Sequence, residues 1–145
     1  MFGVSVNYLA ILAAGIAAMI VGFVWYSPAV FGKTWMQIIG MDPNDKEKME
    51  RMKKSMGSSY VLMFIGALAA AWVLDVLIMR THAMGLQGAL KVGLAAWLLV
   101  VPVQLGNAMF AGREDKGLVW KHAFISWGHD LVGFLAMTAI LGWWK

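Results

Sequence analysis

Apolar residues fall into four long runs, and the polar residues gather in the gaps between them. The runs cover roughly residues 6–25, 60–79, 88–110 and 123–144 of the 145-residue chain. A hydrocarbon core of ~30 Å takes ~20 residues of helix to cross, and every run meets that length. None shows the alternation, over about ten residues, of a membrane-barrel strand. Backbone in lipid must satisfy its own hydrogen bonds, so each run is predicted to be a helix. The expected fold is therefore an all-α membrane protein. Four transmembrane helices form an antiparallel bundle, and 1–145 is a single domain.

The first gap has a pattern of its own. Pro28 stops the first helix. From 29 to 39, Val30, Phe31, Thr34, Trp35, Ile38 and Ile39 recur near helical spacing, as suits a short helix in the headgroup layer, and Gly40 reads as its stop. Asp42-Pro43 then reads as an N-cap and first helical position. Over 44–56 the charges alternate in sign, with Glu47–Arg51 and Glu50–Lys54 at i,i+4, which predicts a cytoplasmic helical extension of the second span. Four acidic residues (Asp42, Asp45, Glu47, Glu50) offset its five basic ones, so a solvated face is expected there rather than a lipid-docking one.

Composition agrees: 61% of residues are hydrophobic and 14% charged. The formal charge of +4 raises a nucleic-acid reading, but its distribution points to the membrane. Lys33, Lys46, Lys48, Arg51, Lys53, Lys54, Arg113, Lys116 and Lys121 lie at the first and third connections. Only Arg80, Lys91 and Lys145 lie on the other side. Basic residues are retained in the cytoplasm, so both termini are expected outside. A cleaved leader is not expected, because no Lys or Arg precedes the first run and Trp25-Tyr26 stands where a cleavage site would. With no cysteine there are no disulfides or thiolate sites, and His82, His122 and His129 lack metal-ligand spacing. No metal, no cofactor and no enzyme is predicted, since a lone His-Asp neighbour pair is not a triad.

Helices in lipid meet through small residues. The first span carries Ala10, Ala14, Ala18 and Gly22 at i,i+4, a packing seam for helices of the same chain or of another copy. The second places Ser59, Ala67, Ala71 and Asp75 on one face. Pro102, Gly106 and Asn107 are expected to kink the third span. The twelve methionines are read as filling the bundle.

Polar residues at membrane depth are the candidates for chemistry, since a carboxylate there costs about 2.5–3.5 kcal/mol and needs a partner. Asp130 lies nine residues past Lys121, ~13 Å into the span, and Gln104 lies nine before Arg113 on the antiparallel neighbour. Asn107 is a turn away, Ser126 shares the face of Asp130, Thr138 continues that face and His129 adjoins it. The cluster Gln104, Asn107, Ser126, His129 and Asp130 is read either as a substrate or ion site with a His-Asp proton relay, or as a structural hydrogen-bond network. Asp75 forms a second polar site, expected to pair with Arg80 or Lys91.

Trp25-Tyr26-Ser27-Pro28, then Phe31-Gly32-Lys33 and Trp35-Met36, resemble the signature after the first helix in a bacterial inner-membrane family, domain-of-unknown-function 1761. The resemblance covers essentially the whole chain and is only general in the second half, around Phe110-Ala111-Gly112-Arg113. It implies a small multi-span protein of the bacterial inner membrane and carries no site residues. On the residues alone, Trp25, Tyr26, Pro28, Phe31, Gly32, Lys33 and Trp35 are read as an interfacial exit, with aromatic anchors and a snorkelling lysine. The predicted function is a small oligomeric transporter or channel handling a small solute or ion, with lipids and further copies of itself as partners. The alternative is an accessory protein that binds other membrane helices.

Overall fold

Asn7 sets the first helix: its side chain accepts from the amides of Leu9 and Ala10 at 3.1 and 3.2 Å, and α1 runs Tyr8–Trp25. This comes from a computed structural model that describes residues 6–42, 44–110 and 115–145. Pro43, Ala111, Gly112 and Arg113, named above, lie outside the described residues. Four further helices follow: α2 Gly32–Ile38, α3 Lys46–Arg80, α4 Gly85–Met109 and α5 Lys116–Trp143. Four of the five are long and apolar enough to cross a membrane, and α2 is not.

The caps explain the boundaries. Ile39 is the C-cap of α2, and Gly40 follows at φ +71°. The Gly40 amide donates to Gln37 O and the Met41 amide to Met36 O, a left-handed helix stop that a side chain would strain. Asp42 does not cap the next helix. Its carboxylate closes a turn on the Asn44 amide at 2.8 Å, and the cap passes to Asp45, which accepts from Lys48 N at 3.1 Å. The α3 helix is continuous: extension and second span form one 35-residue rod, roughly 52 Å long at 1.5 Å per residue. Of the two expected ion pairs on it, Glu47–Arg51 closes at 2.6 Å, fully in solvent. The same left-handed stop ends α3, with His82 at φ 53° in the place glycine favours. Pro102, expected to kink the third span, lies within α4, which continues through it.

Of the four long helices, α4 packs on α5 most extensively, α1 lies against α3 and α5, and α3 touches α4 and α5 more lightly. Ala10, Ile11, Ala14, Ala71, Leu74, Ile78, Ala89, Met137 and Leu141 form the buried core. Within the expected seam of α1, Ala10 and Ala14 are fully buried and Ala18 packs partly against the same core. A second seam, α4 on α5, is tighter. A Cβ on Gly93 would lie 2.5 Å from Thr138 Oγ1, and one on Gly142 would lie 2.6 Å from Ala89 Cβ. Outside this core the rods are apolar and uncovered, with Leu62 71% and Leu99 76% exposed, as lipid-facing residues would be. Four such helices suggest a membrane protein.

Candidate functional site

The exit from α1 is a tight knot of backbone. Ser27 O accepts from the amides of Val30 (3.1 Å) and Gly32 (2.9 Å), and Trp25 O accepts from Phe31 (3.1 Å). Gly32 is buried in this knot, where a Cβ would come within 2.7 Å of Ser27 O, so the Phe-Gly step is required by space. Phe31 lies against Trp25 with ring centroids 4.9 Å apart, and Trp35 against Tyr26 at 5.7 Å. The knot turns both aromatic residues inward. Trp25 Nε1 donates to Ile125 O at 3.0 Å, and the Tyr26 ring lies 5.2 Å from that of His129. Residues read as interface anchors thus serve as contacts to α5. Lys33 stays exposed.

On α5, Asp130 is held at both oxygens. Gln104 of α4 donates its Nε2–H to Oδ2, and His129 Nδ1 stands 3.1 Å from Oδ1. The Nε2 edge of the His129 ring faces α1, where a Cβ on Gly22 would sit 3.4 Å away. Ser126 shares a hydrogen bond with Tyr26. Burial pushes the Tyr26 phenol above its ordinary value, the Ser126 bond opposes this, and the Asp130 charge adds to the rise, so the phenol stays neutral and able to donate. The side chains of His129 and Asp130 remain 22% and 26% exposed, half-buried between helices.

Beside this cluster, toward the end of the bundle that carries α2, is a cavity of about 270 Å³ between α4 and α5. Gln104, Asn107, Val119, His122, Ser126 and Trp127 line it. Asn107 belongs to this wall and makes no bond to Asp130. Thr138 belongs to neither: it is buried and donates to Phe134 O of its own helix at 2.8 Å. Among the described residues no group of three His, Asp or Glu side chains is placed to hold a metal ion.

The second polar site departs from expectation. The cation beside Asp75 is Lys145, Nζ to Oδ1 2.7 Å, with side chains 0% and 7% exposed. Arg80 is five residues from Asp75, about 140° around the helix, and so on the wrong face for it. Lys91 is exposed on α4. The contact lies outside hydrogen-bonding direction, so the attraction is coulombic.

A family model described as "Protein of unknown function (DUF1761)" matches residues 9–142. The chain belongs to the DUF1761 family. No curated protein and no solved structure matches it. In this DUF1761 chain the structure brings Gln104, Ser126, His129 and Asp130 together and adds residues that sequence reasoning missed. Tyr26 and Trp25 were hidden by their suitability as interface anchors, although their place one residue apart at the end of an antiparallel helix puts them level with the first turns of the fourth span. His122 and Trp127 carried a signal in retrospect, lying four residues before and one residue after Ser126. The α4 seam was also legible, as Gly85, Ala89 and Gly93 at i,i+4.

Proposed function

We propose that this protein is a small transporter or channel of a bacterial inner membrane, with Asp130 and its neighbours on the path of a small solute or ion. The supporting observation is that Asp130 is half-buried where α4 meets α5, in contact with Gln104 and His129, beside a cavity walled by Asn107, His122 and Ser126. Polar groups at membrane depth are expensive unless they serve packing or passage, and a cavity beside them favours passage. In this reading the basic connections face the cytoplasm and the termini face out. The working unit is a homo-oligomer embedded in lipid, because one four-helix bundle encloses little space.

Flux into proteoliposomes tests it. Asp130→Asn keeps size and can still accept from Gln104 while turning its amide N–H to His129 Nδ1, so it should keep the fold and abolish transport. Flux equal to that of protein-free vesicles for the unaltered chain would refute the proposal. It would favour the accessory reading, which draws on the open face of α3, where Leu62 and Ile65 flank Gly66 and nothing lies within 4 Å of a Cβ placed there.

A further inference from the structure

The two ends of α5 differ in what they bury. Toward the α2 end, His122, Ser126 and Asp130 repeat at i,i+4 along one face, which makes successive side chains neighbours. His122 and Ser126 line the cavity together with Asn107, and Asn107 is exposed, so the cavity opens to the surface. Its volume of about 270 Å³ is roughly nine waters' share of liquid, and its walls offer water several polar partners. From Ser126 the contacts run inward. Ser126 shares a hydrogen bond with Tyr26, the Tyr26 ring lies 5.2 Å from that of His129, and His129 Nδ1 stands 3.1 Å from Asp130 Oδ1. Past Asp130, α5 buries Gly133, Met137, Thr138, Leu141 and Gly142. The Thr138 hydroxyl is spent on Phe134 O, and Gly93 of α4 fits so closely against Thr138 that a Cβ has no room. The next ionisable residue of α5 is Lys145, fifteen positions and ~22 Å further on, and it is held by Asp75. That end is shut.

We propose that His129 and Asp130 together bind one proton, which enters and leaves by the cavity at the α2 end, past His122 and Ser126, and not from the opposite end. This rests on the transport reading for what the proton does, and names the proton as the ion of that site. Uptake converts the pair from singly negative to neutral. The proton is shared between imidazole and carboxylate, so it belongs to the pair and not to either residue. Neutrality suits membrane depth, where an uncompensated carboxylate is costly. Gln104 occupies Oδ2, which leaves Oδ1 as the oxygen facing the imidazole. The hydroxyls of Ser126 and Tyr26 both donate and accept, so each can pass a proton on without keeping it. Of the elements around the pair, the end of α1 presents the titratable Tyr26 and α4 the uncharged Gln104. Helix α2 sets Trp35 against Tyr26 and keeps Lys33 exposed, and His122 lies two turns back on α5.

The reporter is Trp25, whose ring lies 6.4 Å from that of His129, close enough for an imidazolium to quench its fluorescence. Proteoliposomes of the full chain receive an acid jump in the outer buffer. Their orientation is read from protease cleavage in the exposed 46–56 segment. The His129 signal is the part lost in His129→Gln, and Trp25→Phe removes the reporter if the glutamine protein does not fold. Chains with 46–56 outward should quench before the lumen acidifies, and chains with it inward should not. His122→Phe should slow the quench about a hundredfold, the low end of what a positioned proton-transfer group contributes. An equally fast quench from the opposite face overturns the one-sided path. An undiminished rate in His122→Phe overturns the route, and the lack of any His129-dependent quench overturns the proton site. Onward passage is a separate step, read as luminal acidification with an entrapped pH dye. Quenching without acidification sinks proton transport and leaves the site standing. Acidification that Asp130→Asn abolishes, but that proceeds without quenching, sinks the His129–Asp130 site and leaves transport standing.

Discussion

Replacing Lys145 with methionine leaves Asp75 as a fully buried carboxylate without its cation. Removing one partner of a buried pair costs about 3–5 kcal/mol, because the remaining charge stays desolvated. The coulombic gain here is not supplemented by an aligned hydrogen bond, so the lower end applies, about 3 kcal/mol. At roughly 2–4 °C per kcal/mol for a chain near this size, Lys145→Met should lower the melting midpoint in detergent by about 6–12 °C. Asp75→Leu alone strands the ammonium, which can swing toward water at the helix end, and should cost less. The double variant Asp75→Leu with Lys145→Met should recover to within about 1 kcal/mol of the unaltered protein, since apolar replacement of a buried pair is often neutral. A double-mutant cycle then yields the coupling, expected at about 2–3 kcal/mol. Additive single changes, or a Lys145→Met protein that melts like the original, would refute the pairing.

Two further outcomes follow from the packing and the site. Gly93→Ala places a Cβ 2.5 Å from Thr138 Oγ1 and 3.1 Å from Phe134 O, and should destabilise by about 1–3 kcal/mol. Gly66→Ala, where nothing lies within 4 Å, should be neutral or stabilising in the same melting assay, and equal effects would place the α4–α5 contact elsewhere. The raised Tyr26 phenol favours the neutral form in the folded state. Its contribution should be fully present below the ordinary tyrosine value of ~10 and be lost as pH rises beyond it. Tyr26→Phe should therefore flatten the fall in stability above pH ~10, measured as the difference between the two proteins, and parallel curves would exclude Tyr26 as the source.

Much of this protein was fixed by local chemistry and could be read without the fold. The four long apolar helices follow from run length, and the α2 stop from Gly40. The helical nature of 46–56 follows from its i,i+4 charges, the helix starting after the Asp45 cap rather than at 44. The Gln104–Asp130 contact could be read from two nine-residue offsets, because antiparallel helices of regular rise convert sequence distance into depth. Other features depended on which faces meet. Asp75 found Lys145, and not a residue near it in sequence, because a helix aims i and i+5 in different directions and the end of α5 comes back to α3. Trp25 and Tyr26 face α5 because the Ser27–Gly32 knot turns them, and aromatic character alone suits lipid and protein equally. Small residues marked both α1 and α4 as packing helices. Only the packing of the bundle assigned α4 to α5 so closely that Gly93 must remain a glycine. In lipid every face is apolar, so hydrophobic pattern fixes how many helices cross and where they end, and steric fit decides which of them touch.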